Sequence, residues 1–573
     1  MFKTIRVNSR TGEIRSDEIK KDYTLFGNRG LVAKVMTDEV DPKCDPMGAK
    51  NKLIIATGLF AGTPIPTAHR LSVGGKSPLT GTIKEANVGG TVGTFLAQQG
   101  IKLIIVEDKP AGDDWRLLKI GKNGKAELIP AKEFAGLNNY ALVEKLYGRY
   151  GKDIAVLSIG MAGERGYKNS SVQSTDFSTG HPSRAAGRGG LGAVLGSKRI
   201  KAVVVEKPVK KAQAEYADKE AFKTAQKKFM DGNSPKTNPE VLGFFTYGTN
   251  MLIDLTSREG IMPVRNFSGD FFLPKKLKNI KSDAWLKKME ANKGKRGLPC
   301  QPGCVVKCSN VYYDAKGQFV TSGLEYETAV MAGPNCDIDD WDYIAEFDRI
   351  CDDLGIDTIE TGATIAVCME AGKIPWGDTK AAMGLVEEMV KGNEFGNLMG
   401  QGTEAVGKKL GVKRIPTCKG QSLAAYDPRA LKGIGVTYAT SPMGADHTAG
   451  NTLPIAQGEE TSKAGMVGLS RLIQTMFATF DNMACLFASG GGFLADQSVG
   501  PGLLAGFYGG EWNFDKMMGI GAQTLMMEDA FNKAAGFTDN DNRLPDFFYT
   551  EFAPATGAVF DISAEEMAGM FKY

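Results

Sequence analysis

Three cysteines within nine residues constrain this chain more than any other feature. The segment GLPCQPGCVVKCSN places Cys300, Cys304 and Cys308 at C-x3-C-x3-C, with Pro302 and Gly303 between the first two. Held on a turn and a short helical segment, three such thiols can face one centre. Ligation of an iron–sulfur cluster by four cysteines needs one more thiol from elsewhere in the chain. Cys485, in FDNMACLFASGGG, is the candidate. Structural zinc is the rival, although zinc draws its ligands from paired short-spaced motifs and no second pair is present. Enzymes that cleave S-adenosylmethionine also cluster three cysteines, with one shorter gap and no fourth protein ligand. Three inert buried thiols are the remaining alternative. Cys44, Cys336, Cys351, Cys368 and Cys418 are isolated and read as small core residues. The opening MFKTIRVNSRTGEIRSDEIKK has no apolar leader core, so the expectation is a cytoplasmic protein whose nine thiols are ligands or core residues rather than disulfides.

At about 150 residues per domain, 573 residues make three or four domains. The first 208 residues read as strand-rich, with short aliphatic runs at 2–7, 52–57, 102–108, 154–159 and 201–206. LIIAT, LIIVE and AVVVE are apolar throughout, as in strands covered on both faces. From Lys207 the texture changes to a linker running into a helix, KPVKKAQAEYADKEAFKTAQKKFM. Helix-length patterns follow at 341–354, 360–371 and 382–390, and GNEFGNLMGQG breaks them near residue 400. The expected architecture is therefore α+β and multidomain: a β-rich domain over 1–208 and mainly helical domains over 209–400 and 401–573. No fixed-period repeat is visible. A balance of 69 basic against 66 acidic residues excludes a nucleic-acid-coating role. No apolar run reaches the eighteen or so residues of a membrane span.

Two glycine-rich stretches stand out in the β-rich part. HRLSVGGKSPLTGTIKEANVGGTVGTFLAQQG carries paired glycines before a helix-like run, and SRAAGRGGLGAVLGSKRIKAVVV repeats the logic with Arg184 and Arg188 alongside. Glycine lets peptide N–H groups approach an anion closely, and Arg adds bidentate phosphate contacts. Neither stretch fits a dinucleotide fingerprint or a P-loop. Each alone is an ordinary turn; two in one domain, both beside Arg, point to a bulky anionic cofactor.

Together these segments resemble the tungsten-dependent aldehyde ferredoxin oxidoreductases. The resemblance is carried by SPLTG and NVGG (77–90), GRGGLGAVLGSKRIKAV (187–203), YGTNMLIDLTSREGIMPVRNF (247–267) and the cysteine cluster. It continues through GLEYET (323–328), DDLGID (352–357), AYDPR (425–429) and GADH (444–447). It implies an N-terminal domain of two sheets that cradles a bis-pterin tungsten (or molybdenum) cofactor, with two mainly helical domains closing over it. The implied cofactor-binding residues are Asp352, Gly355 and Asp357 at one pterin and Asp481 at the other. Arg70 falls between pterin and [4Fe–4S] cluster, and Asn87 with Gly89 and Gly90 at a Mg2+ bridging the pterin phosphates. Arg184, Arg188 and Gly189 complete the cradle. A carboxylate accepts the N–H groups of a pterin's amino-pyrimidinone edge, so acidic residues suit this task. Three features depart from the family pattern. The first cysteine gap holds one residue more; DNMAC stands where D-x-x-G-L-C is usual, bringing Asp481 one position closer to Cys485; and Glu346-Phe347-Asp348-Arg349 replaces an E-x-x-H iron motif, so no mononuclear iron is expected.

The implied reaction is oxidation of a small aldehyde to a carboxylic acid, with electrons leaving to ferredoxin or a ferredoxin-like iron–sulfur subunit, in an oligomer. The alternative is the tungsten subunit of a benzoyl-CoA reductase-like low-potential complex. The resemblance favours Glu327 as the base, with Glu325 its less favoured neighbour, and His447 as the active-site histidine. GLEYET reads as a strand, which sets Glu325 and Glu327 on one face. His69 and His181 read as structural. Finally, nine Lys or Arg against Asp283 and Glu290 over 275–296 make a local +7 leading into Cys300, a surface suited to steering an acidic partner.

Overall fold

The aliphatic runs of the first 208 residues are inner strands of two six-stranded sheets in the computed structural model, which describes residues 2–269, 272–453 and 461–573. The first sheet contains β1 (Lys3–Asn8), β2 (Ile14–Glu18), β3 (Leu53–Thr57), β4 (Leu71–Lys76), β5 (Ile83–Val88) and β6 (Ile101–Glu107), in the order β2-β1-β6-β3-β4-β5. The second contains β7 (Arg116–Ile120), β8 (Ala126–Pro130), β9 (Ile154–Ser158), β10 (Val172–Ser174), β11 (Arg184–Ala186) and β12 (Ile200–Glu206), in the order β11-β10-β9-β12-β7-β8. Alternation explains why the inner strands are apolar at every position. Leu53, Ile55, Val106, Leu157 and Val203 point into the core shared by the two sheets. Ile54, Ala56, Leu103 and Ile105 point outward under the helix Asn28–Glu39. Val156, Ala202 and Val204 do the same under the helix Asn139–Tyr150.

The two sheets have the same topology, a duplication that no sequence period announces. In each, a hairpin (β1–β2, β7–β8) is followed by a covering helix, three antiparallel strands, a short helix and a last strand parallel to the first. The short helices Val92–Gln98 and Leu191–Ser197 each begin just after paired glycines. A Cβ on Gly93 would lie 2.2 Å from the His69 carbonyl oxygen, and one on Gly192 2.4 Å from that of Ser171. The last strands open with Ile-Lys in both halves. Lys102 and Lys201 are buried, and each ammonium donates to a carbonyl just before the covering helix, Thr24 at 2.8 Å and Leu137 at 2.7 Å. Matches of this kind are scattered along the two halves, which is why no fixed period is visible. Gly74 and Gly75, read from sequence as a loop pair, lie inside β4; a Cβ on Gly74 would meet Val32 of the covering helix at 2.2 Å.

The rest of the chain is mainly helical. The helix Trp341–Leu354 has the expected ends, and Thr358–Glu370 and Thr379–Lys391 shift by only a few residues. Asp340, Asp357 and Asp378 cap these three helices, each accepting a backbone N–H of the first turn. A small sheet of β13 (Lys295–Leu298), β14 (Ser309–Tyr313) and β15 (Phe319–Ser322) holds the cysteine segment between its first two strands. The strand expected for GLEYET is not formed. The chain turns at Gly323 (φ +79°), and Tyr326–Ala332 is a helix with Glu325 at its N-cap. Thr249 Oγ1 accepts the Tyr326 N–H at 2.8 Å, and Tyr326, Ala329 and Val330 are buried, so tertiary packing overrides the alternating pattern. Among the described residues no helix is long and apolar enough to cross a membrane.

The covering helix Asn28–Glu39 is pinned to the helix Phe514–Ala535 by a fully buried ion pair. Arg29 Nε and Nη2 donate to the Glu528 carboxylate at 2.8 and 2.7 Å. Glu528→Ala leaves the guanidinium buried without its counter-charge and is expected to cost about 3–5 kcal/mol. A urea midpoint equal to that of the parent protein would contradict this.

Candidate active site

Two helix ends dock on the two half-domains in equivalent ways. The helix Trp341–Leu354 brings Asp352 to the second half, where Asn139 Nδ2 donates to the Asp352 carbonyl at 2.9 Å. Ser171 N–H donates to the Gly355 carbonyl at 2.9 Å. Gly355 is in the left-handed region (φ +80°), where a Cβ would press on the Asn139 amide and the Gly160 nitrogen, each at 3.1 Å. The helix Met466–Asp481 brings Asp481 to the first half, where Asn28 Nδ2 donates to its carbonyl at 2.9 Å. Leu59 N–H donates to the Asn482 carbonyl at 2.8 Å. Asn28 and Asn139 each open the covering helix of their half, so Asp352 and Asp481 hold equivalent positions despite the missing residue in DNMAC.

From Asp481 a chain of contacts runs to the cysteines. Asn87 Nδ2 donates to Asp481 Oδ1 at 2.9 Å, Arg70 Nε donates to Asn87 Oδ1, and Arg70 Nη1 stands 3.9 Å from Cys300 Sγ. Gly90 N–H donates to the Cys300 carbonyl at 2.9 Å, and a Cβ on Gly89 would sit 3.1 Å from the Cys300 sulfur. Cys485 N–H and Gln301 Nε2 both donate to the Thr67 carbonyl, at 3.2 Å each, which joins the distant cysteine to the three clustered ones. Cys300 and Cys304 are buried, whereas Cys308 and Cys485 are partly exposed. The Cys304 hydrogen bond, reinforced by Arg70 and Arg184, pulls the Cys300 thiol down to about 6. Among the described residues no three His, Cys, Asp or Glu side chains group tightly enough to hold one metal ion.

The arginines read from sequence as phosphate ligands are engaged by protein. Arg184 Nε donates to Asp176 at 2.7 Å and its guanidinium also reaches Ser309 and Glu325. Arg188 donates to Asp357 at 3.0 Å and to the Ala445 and Ser422 carbonyls at 2.8 and 2.7 Å. Asp357 spends its other oxygen on the Ile359 N–H. Asp352 differs: its Oδ2 is buried with no hydrogen-bond partner among the described residues. Burial pushes the Asp352 carboxyl well above the usual range, and burial raises Asp481 to about 6. Gly189 has φ +87°, and a Cβ there would strike the Lys84 side chain at 2.5 Å.

The helical turn at residue 326 separates the two glutamates. Glu325 Oε2 accepts the Thr249 hydroxyl at 2.6 Å on the cysteine side. Glu327 Oε2 accepts the Ala425 N–H at 2.8 Å, and its Oε1 stands 3.3 Å from His447 Nε2. Beside His447, buried Lys84 donates to Asp446 Oδ2 at 2.6 Å. Burial opposes ionisation of Asp446, yet Lys84 and Arg188 hold its carboxyl well below the ordinary range. The Tyr426 ring lies 6.1 Å from that of His447. Lys84 carried no signal in the sequence, because a lysine within a strand reads as solvent-facing. The His181 ring packs between Tyr140 and Phe319, and burial lowers His69 to about 4.

Residues 4–207 match the family profile described as aldehyde ferredoxin oxidoreductase, N-terminal domain, and residues 222–571 that of its domains 2 and 3. The tungsten-containing aldehyde ferredoxin oxidoreductase of Pyrococcus furiosus is 32% identical, over 96% of this chain and 91% of its own length. The aliphatic sulfonate oxidoreductase, WOR-like subunit, of the same organism is 26% identical, over 77% of this chain and 73% of its own. Among solved structures, the active-site complex BamBC of benzoyl-coenzyme A reductase with 1,5-dienoyl-CoA superposes with a TM-score of 0.77 at 19% identity. It covers 95% of this chain and 90% of that one, which shows a shared fold.

Gly90 (φ +101°) is tightly enclosed: a Cβ there would lie 2.3 Å from Ser174 Oγ and 2.6 Å from the Thr175 carbonyl. Gly90→Ala is expected to cost about 1–3 kcal/mol through backbone strain and to lower bound iron by displacing the Cys300 peptide. Gly112→Ala, where nothing lies within 4 Å, is the control, expected within about 0.5 kcal/mol of the parent. Equal stability and iron content for both variants would contradict the assignment.

Proposed function

This chain belongs to the aldehyde ferredoxin oxidoreductase family, and from that membership and the geometry around Glu327 we propose that it oxidises aldehydes to carboxylic acids at a bis-pterin tungsten centre. The observation that carries the reading is the 3.3 Å approach of His447 Nε2 to Glu327 Oε1, with the ring of buried Tyr426 alongside His447. The residues present fit the cofactor. Asp352 offers an unused buried acceptor to a pterin edge, and Asp481 occupies the equivalent place in the other half. Asn87, with the Gly89 and Gly90 backbone, would serve a magnesium ion, which needs few protein ligands. Cys300, Cys304, Cys308 and Cys485 would hold the [4Fe–4S] cluster, with Arg70 between it and the pterin side.

Balance sets what the protein must do: an aldehyde and a water become a carboxylate, three protons and two electrons. The bound cofactor supplies an electrophilic metal and a two-electron sink. Glu327 accepts a proton from the attacking water at Oε1, while Oε2 stays fixed by the Ala425 N–H. His447 Nε2, beside that oxygen, orients the substrate oxygen and shares the proton. Lys84 keeps Asp446 ionised and fixed, which holds the loop that carries His447. Glu325, on the cysteine side of the turn, takes no part in proton transfer.

The decisive experiment is anaerobic purification, metal analysis and an aldehyde screen with a viologen dye. About one tungsten per chain with aldehyde-dependent dye reduction is the expected result. Tungsten with no aldehyde turnover would favour the low-potential reductase reading. Glu327→Gln and His447→Ala should each lower turnover by about 100-fold or more while tungsten content stays unchanged. Near-parental rates in both would remove them from the reaction. Cys485→Ser should cost the cluster about four irons, or leave a three-iron form; protein purified anaerobically with zinc in place of iron would end the cluster assignment.

A further inference from the structure

Thr67 departs from ordinary chain chemistry twice at one position. Its φ is +66°, a left-handed conformation that crowds a β-branched side chain. Its hydroxyl is fully buried and has no hydrogen-bond partner among the described residues, whereas buried polar atoms are almost always satisfied. Glycine would relieve the first anomaly and alanine the second. A threonine that keeps both has a use for its hydroxyl.

The backbone accounts for the turn. The Thr67 carbonyl accepts Cys485 N–H and Gln301 Nε2, at 3.2 Å each, so the left-handed residue ties the distant cysteine to the segment of the other three. Ala68 packs in the same buried cluster as Cys304, Val306 and Ala484. Three residues beyond Thr67, Arg70 Nη1 stands 3.9 Å from Cys300 Sγ. The hydroxyl therefore lies enclosed among the cysteine segments, yet none of the four sulfurs accepts it. Cys304 Sγ instead takes the Lys307 N–H at 3.5 Å, and Cys300 Sγ faces Arg70.

We propose that the Thr67 hydroxyl donates to an inorganic sulfide of the bound cluster and thereby raises the reduction potential of that cluster. The proposal rests on the cluster assignment above. A four-iron cluster sets sulfides between its cysteine sulfurs, and a sulfide is the acceptor that remains when no cysteine serves. Reduction adds one electron, taking the cluster from the 2+ to the 1+ state, and the added charge spreads over its sulfurs. A donor already in place binds the more negative sulfur more strongly, so the reduced form is favoured. The proton stays on the threonine oxygen throughout. Thr67 touches no substrate; it acts on how readily the cluster takes an electron.

The test is an anaerobic redox titration of the intact protein, following the reduced cluster by electron paramagnetic resonance, with iron content measured alongside. Thr67→Val keeps the β-branched shape and removes the donor. It should lower the equilibrium constant for cluster reduction about tenfold, a fall of about 59 mV for one electron, at parental iron content. Thr67→Ser keeps the hydroxyl and should stay within about twofold of the parent. If Thr67→Val loses iron, Thr67→Gly decides, because it relieves the positive φ and still removes the donor. Parental iron with the same fall in that variant supports the proposal. A parental potential in Thr67→Val at full iron, a serine variant that falls as far as the valine one, or iron loss in both the valine and glycine variants would overturn it. A parent protein that carries no iron would instead remove the cluster assignment, and the proposal with it.

Discussion

Two asparagine side chains carry the arrangement on which the whole site depends. Asn28 and Asn139 each donate to the backbone carbonyl of an aspartate at the end of a helix, from the first residue of the covering helix in their half. A carbonyl at a helix C-terminus has no intrahelical partner and must find one when buried. The duplicated β-domain meets that need twice with one device, and so fixes where two otherwise unrelated helices enter. The acidic side chain at 481 then meets Asn87, which Arg70 links to the cysteine segment, while that at 352 keeps a buried oxygen without a partner among the described residues.

Charges buried around that space are nearly all matched. Arg29 has Glu528, Lys84 has Asp446, Arg184 has Asp176 and Arg188 has Asp357. Three of the four pairs tie one segment to another far along the chain, and in all four removing one partner leaves an uncompensated buried charge. Against that background the buried carboxylate oxygens without partners among the described residues, Asp352 Oδ2, Glu327 Oε1 and Glu85 Oε1, are conspicuous. Buried polar atoms are almost always satisfied, and open carboxylates of this kind suit a donor-rich ligand edge.

Much of this was legible in the chain itself. Aliphatic runs bounded by Gly and charge located the inner strands, because a strand covered on both faces has no polar position. The order of short motifs over the whole length carried the family. Helix-length patterns over 341–354 and 360–371 marked the helices that form over 341–354 and 358–370. These are local properties, decided by residues that touch their own neighbours in sequence.

Tertiary structure decided what depends on distant contacts. The internal duplication shows in backbone approaches at Gly93 and Gly192 and in two buried lysines, scattered matches that leave no visible period. GLEYET alternates like a strand, yet Thr249 caps it as a helix and turns Glu325 away from Glu327. Arg184 and Arg188 carry phosphate-binding chemistry by type, but Asp176 and Asp357 claim them, and those acids lie 8 and 169 residues away. Whether Asp481 kept its place after the loss of one residue turned on Asn28, 453 positions earlier. Side-chain chemistry is written in the sequence, whereas the partner that uses it is chosen only when the chain folds back on itself.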